Sequence, residues 1–144
     1  YSLHEDSKEK IMINNRFRYY TNGDIENKIS LNTLYYFDES FFFNTNNYIQ
    51  YKNSKKSQTI VNNYSYIKIL DNKRQARAGV SFVSNLDDME LFLDHIQLYG
   101  IYRYVFYKNW LYYEISPSIL FRKENNYNSS YRFMVNFGAI FRKD

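Results

Sequence analysis

The sequence predicts an all-β protein, an eight-stranded, antiparallel, up-and-down transmembrane β-barrel. Three observations carry this. Polar and apolar residues alternate through most of the chain; aromatic residues bank around tight turns; and no apolar run approaches the about 20 residues that a membrane-crossing helix needs. The first bank is Tyr35-Tyr36-Phe37, the turn Asp38-Glu39-Ser40, then Phe41-Phe42-Phe43. The second is Tyr104-Val105-Phe106-Tyr107, the turn Lys108-Asn109, then Trp110-Leu111-Tyr112-Tyr113. Rings placed at the ends of alternating strands suit a membrane-water interface. A soluble β-barrel or sandwich binding an apolar ligand is the alternative, and it would place such rings at mid-strand.

Each strand sorts its residues by parity. In Lys10 to Tyr20, Ile11, Ile13, Phe17 and Tyr19 oppose Asn14, Arg16 and Arg18. From Ile25 to Asp38, Ile25, Ile29, Leu31, Tyr35 and Phe37 oppose Glu26, Lys28, Ser30 and Asn32. In Phe41 to Lys52, Phe41, Phe43, Ile49 and Tyr51 oppose Asn44, Asn46 and Gln50. Gln58 to Leu70 is mixed, because Val61, Ile67 and Ile69 oppose Ile60, Tyr64, Tyr66 and Lys68. The fifth strand sets Ala76, Ala78, Val80 and Phe82 against Gln75, Arg77 and Ser81. The sixth sets Ile96, Leu98, Tyr102, Tyr104 and Phe106 against His95, Gln97 and Arg103. In the seventh, Leu111, Tyr113, Ile115, Ile119 and Phe121 oppose Glu114, Ser116, Ser118 and Arg122. In the last, Tyr131, Phe133, Val135, Phe137 and Phe141 oppose Arg132 and Asn136.

Connections are expected to alternate in length. Asp38-Glu39-Ser40, Asp71-Asn72 and Lys108-Asn109 read as tight turns, while Asn53 to Ser57, Asn85 to Asp88 and Lys123 to Ser129 read as longer loops; the first connection, around Asn22-Gly23, is short as well and departs from the trend. Short turns on one side place both termini there, on the periplasmic side of an outer membrane. Residues 1–8 read as a polar leader or linker and 9–144 as the barrel. The start at Tyr1, without a methionine, suggests a processed or trimmed N-terminus.

Composition narrows the function classes. The net charge of +4 is dispersed, with no basic arm, so nucleic acid is not expected as a partner. The absence of cysteine excludes disulfides and thiolate metal sites, and two isolated histidines make no metal cluster. No cofactor motif is present. Tyr, Phe, Asn, Lys and Ile all have AT-rich codons, so the argument rests on position and not on counts.

The terminal alternation of Phe133, Val135, Phe137, Ala139 and Phe141 resembles the C-terminal assembly signal of Gram-negative outer-membrane barrels, extended here by Arg142-Lys143-Asp144. Residues 108–117, Lys-Asn-Trp-Leu-Tyr-Tyr-Glu-Ile-Ser-Pro, resemble the hairpin before the last strand of an uncharacterised eight-stranded outer-membrane barrel family. The resemblance implies location and fold, with outer-membrane lipid and lipopolysaccharide as surroundings. It implies no activity.

An eight-stranded barrel has an interior that side chains fill. Turn registers set Arg103 against Glu114 and Arg18 against Glu26 as lumenal ion pairs, with Arg132 joining the first. The inward cations Arg16, Arg18, Lys28, Lys68, Arg77, Arg103 and Arg132 outnumber Glu26 and Glu114, which leaves room for a bound anion. A lipid-acting barrel enzyme, resembling the lipid A deacylases, needs His and Ser on one strand with a carboxylate nearby. Here Gln97 stands two positions after His95 where that Ser belongs; Ser116, Ser118 and Glu114 face the lumen, and His95 falls opposite Arg122. His4 lies in the leader. A non-enzymatic anchor or scaffold component is the expectation. Finally, Lys52 placed opposite Gln58 gathers Thr45, Asn47, Asn63 and Ser65 into a polar patch on the outer wall. That patch is a candidate interface with a protein partner or second copy, since lipid offers no hydrogen bonds.

Overall fold

The computed structural model describes residues 2–5, 8–53, 57–87, 90–107 and 111–139. Among the described residues all regular structure is β, apart from one 3₁₀ turn at Lys123–Asn125. A short strand β1 (Ser2–Glu5) lies within the segment read as leader. Eight long strands follow: β2 (Glu9–Tyr19), β3 (Ile25–Tyr36), β4 (Phe41–Lys52), β5 (Ser57–Ile69), β6 (Arg74–Asp87), β7 (Glu90–Tyr107), β8 (Leu111–Arg122) and β9 (Ser129–Ala139). They form one sheet in sequence order, each strand antiparallel to its neighbours. Among the described residues β9 and β2 are not paired with each other, and the sheet is open.

Registers propagate one face around the whole sheet. The apolar face runs through Phe17 and Tyr19, Ile29 and Leu31, Phe43 and Ile49, Ile60 and Tyr66, Val80 and Phe82, Leu98, Ile119, and Tyr131 to Phe137. The opposite face carries Arg16, Arg18, Glu26, Lys28, Ser65, Arg77, Tyr99, Arg103, Glu114 and Arg132. Burial is inverted relative to a water-soluble fold. Among the described residues the buried ones, from Val61, Ile67 and Leu120 to Glu26, Ser65, Ser81, Ser116 and Ser118, all belong to the polar face. Phe17, Tyr131, Phe133 and Phe137 on the apolar face are 65 to 80% exposed.

Strand β5 corrects one expectation. Lys52 pairs with Ser57 and Tyr51 with Gln58, one residue from the expected register. Ile60, Asn62, Tyr64, Tyr66 and Lys68 therefore join the apolar face. Lys68 is consequently not an inward cation. Its long stem lets Nζ leave the apolar band for the turn, where it donates to Ser40 Oγ at 2.8 Å and lies 3.8 Å from Asp38 Oδ2. In exchange, β5 buries Val61 and Ile67.

The connections also differ from expectation. β6 runs to Asp87 and β7 starts at Glu90, so the fifth connection is no longer than the tight turns at the opposite end. Strand pairing extends through Asn85, Leu86 and Asp87. The first aromatic bank does assemble. Phe37 stacks on Phe41 at 5.0 Å, and Tyr66 lies 5.0 Å from Phe43 and 5.8 Å from Phe41. In the second, Tyr113 lies 5.6 Å from Tyr104 and 6.3 Å from Phe106, while 108–110 fall outside the described residues. Both clusters occupy the apolar face at the end where β2 begins and β9 finishes.

Two turns at this end are held by aspartates. Asp38 accepts from the Ser40 hydroxyl and amide, and Asp71 from the Lys73 and Arg74 amides and the Arg74 guanidinium. Hydrogen bonding to Ser40, with Lys68 nearby, holds Asp38 below the ordinary 3.8; the Lys73 amide and Arg74 do the same for Asp71. A depressed folded pKa contributes stability that is complete above the unfolded value and disappears as pH falls through the folded one. Asp38→Ala with Asp71→Ala should therefore unfold at a lower temperature than wild type near neutrality. Melting curves recorded down the acid limb should converge; a constant gap would mean the carboxylate charges contribute nothing.

Candidate functional site

Two ionic centres on the polar face each gather several contacts. The larger one occupies the adjoining ends of β2, β3 and β4. Cross-strand pairing produces one rung of Arg18, Glu26 and Lys52 and a second of Arg16, Lys28 and Gln50. Glu26 has a side chain only 4% exposed and gathers the contacts. Its Oε1 accepts from Arg16 Nη2 at 3.0 Å and lies 4.0 Å from Arg18 Nη1. Its Oε2 accepts from the Tyr20 hydroxyl at 3.1 Å and lies 3.6 Å from Lys52 Nζ. Arg18 does face Glu26 across the strands, as the turn register implies. Arg16, two residues along β2, nevertheless makes the shorter contact, reaching Glu26 diagonally across the strands. Lys28 turns its ammonium onto the Tyr48 ring, 3.3 Å from the centroid.

The second centre is Arg103 and Glu114, paired across β7 and β8. Arg103 Nε and Nη2 both donate to Glu114 Oε2, at 2.9 and 2.7 Å, and the guanidinium lies 4.7 Å from the centre of the Tyr112 ring. Arg132 shares this face but pairs with Ser118, while Glu114 pairs with Asn136. Ser118 and Glu114 are four residues apart, so the backbone registers place Arg132 two rungs from the ion pair. Between the two centres, Tyr99 lies across Gly79 and donates to Asn63 Oδ1 at 2.7 Å; Arg77 donates to Ser65 Oγ at 3.0 Å.

The proposed outer-wall patch does not form as expected. Asn47 pairs with Asn62 and Thr45 with Tyr64 on the apolar face, while Asn63 and Ser65 point to the polar face, paired with Asn46 and Asn44. The one-residue register change separates the four residues onto two sides. It also gives Asn63 and Ser65 the partners Tyr99 and Arg77.

His95 pairs with Val83 and Arg122. The register shift between Val83 and Ser84 leaves Asp94 as an extra residue in β7. Its Oδ2 lies 2.7 Å from His95 Nδ1. No spacing rule for a regular strand anticipates that contact, since adjacent residues ordinarily face opposite ways. Ser118 pairs with Tyr99, four residues along β7 from His95. Among the described residues no group of His, Asp and Glu has metal-binding geometry.

The chain matches no protein-family model, no curated protein and no solved structure.

Proposed function

We propose that this chain is an integral outer-membrane β-barrel, closed by β2 against β9, that serves as a non-enzymatic membrane anchor or scaffold component with a lumen filled by polar side chains. The observation that carries this is the inverted polarity of the sheet. Burial gathers Glu26, Ser65, Ser81, Ser116 and Ser118 on one face and leaves rows of aromatic and branched side chains exposed on the other. In water that apolar face is an aggregation surface; in lipid it is the solvent-matched side.

Closure is supported by parity. Odd-numbered residues form the apolar face on both β2 and β9, so the edges can join with both faces preserved. Among the described residues, Asn14–Tyr19 on the outer edge of β2 and the outer edge of β9 have no strand partner. Their backbone groups need one in lipid. The aromatic clusters around 37–43 and 104–113 would then form a belt at one interface, with the termini on that periplasmic side. The hairpin and terminal-strand resemblance points to the same location, where lipid and lipopolysaccharide surround the wall.

Fractionation of expressing Gram-negative cells tests this reading. The protein should sediment with the outer membrane, require detergent for release and migrate faster unheated than heated on a denaturing gel. A chain that stays monodisperse in buffer without detergent would contradict it.

A further inference from the structure

The six polar-face positions formed by Arg18, Glu26, Lys52, Arg16, Lys28 and Gln50 contain four cations and one carboxylate. Asp24 lies just beyond, where its carboxylate accepts from the Asn22 amide; including it, four positive charges face two negative ones. Glu26 cannot neutralise its neighbours. Both its oxygens are already shared among Arg16, Arg18, Lys52 and Tyr20. The side chains of Arg16, Arg18 and Lys52 remain 41 to 51% exposed, so their donor groups can reach a ligand. Lys28 rests on the Tyr48 ring, which positions its ammonium without neutralising it.

We infer that this cluster is a binding site for a phosphate-bearing anion. Two guanidinium groups supply planar forks that match phosphate oxygens, and two ammonium groups add charge from the neighbouring strands. Glu26 acts as the organiser. It draws three cations toward one point, and a polyanion then takes up the positive charge that one carboxylate leaves over. A ligand with two or more negative charges fits this better than a monoanion, because the local excess is at least two charges. The cluster lies at the end of the sheet where β2 finishes and β3 begins, the mouth of the proposed lumen, and the assignment uses only its polar-face geometry, so a detergent-independent chain that binds pyrophosphate would fail the membrane reading alone.

Isothermal titration of the detergent-purified full chain with pyrophosphate tests the site. Binding should weaken as salt rises, and Arg18→Gln with Lys28→Gln should weaken it at least tenfold. A parallel arm uses vesicles of phosphatidylcholine with or without phosphatidic acid. Pyrophosphate binding alone identifies a free phosphate compound as the ligand source, whereas binding only to phosphatidic acid vesicles, lost in the double variant, identifies a lipid headgroup. Absence of binding in both arms overturns the site. Equal binding by wild type and the double variant overturns it too, because the anion is then held elsewhere.

Discussion

Gly79→Val should destabilise the folded chain by about 3 kcal/mol, the upper part of the usual range for overpacking a filled site. A Cβ at Gly79 would lie 2.6 Å from the Tyr64 carbonyl oxygen and 2.7 Å from the Tyr99 hydroxyl. The second contact can yield by moving a side chain, but the first is backbone. Movement of Tyr99 also breaks its hydrogen bond to Asn63, which ties β7 to β5 across β6. Glycine within a strand here marks close approach, since its backbone has no positive φ. Urea unfolding in micelles should show the loss, and adding Tyr99→Leu should recover only part of it. Full recovery would place the entire clash in the ring.

Glu114→Gln should cost about 1–2 kcal/mol, since a charge-assisted pair becomes a neutral acceptor facing a cation. The Glu114 side chain is 16% exposed and Arg103 40%, so water screens one partner and keeps the loss below that of a fully buried pair. Arg103 retains the Tyr112 ring, which limits the damage further. Replacing both charges, Arg103→Gln with Glu114→Gln, should be less harmful than the sum of the single changes. Strict additivity would mean that the two residues do not act as a pair.

Much of the architecture was legible because alternation reports which side of a strand meets which environment. All eight long strands, their meander order and the Arg103–Glu114 and Arg18–Glu26 registers follow from parity and turn length. β5 was not legible in this way. Both of its parities carry apolar residues, and only the register with β4 puts Lys68 on the apolar face, within reach of Ser40 and Asp38. The Asp94–His95 contact depends on a bulge, and the bridge from Tyr99 to Asn63 depends on Gly79 of the intervening strand, whose missing side chain leaves the ring room to cross. Arg16 as the shortest contact of Glu26 is a diagonal, which pairwise register does not predict. Sequence alternation gives the faces; stagger, bulges and side-chain reach decide who meets whom.

β9 sets Phe133, Val135 and Phe137 on one face and Arg132, Met134 and Asn136 on the other, and a membrane barrel requires the first set to face lipid. Because the chain has no cysteine, single cysteines at positions 131 to 137 can each be spin-labelled without background. Collision rates with oxygen, which concentrates in lipid, and with a water-soluble nickel chelate should then be measured in reconstituted bilayers. The account predicts a period of two, with odd positions exposed to oxygen and even positions shielded from it. Uniform exposure to the nickel chelate at odd and even positions alike would contradict it.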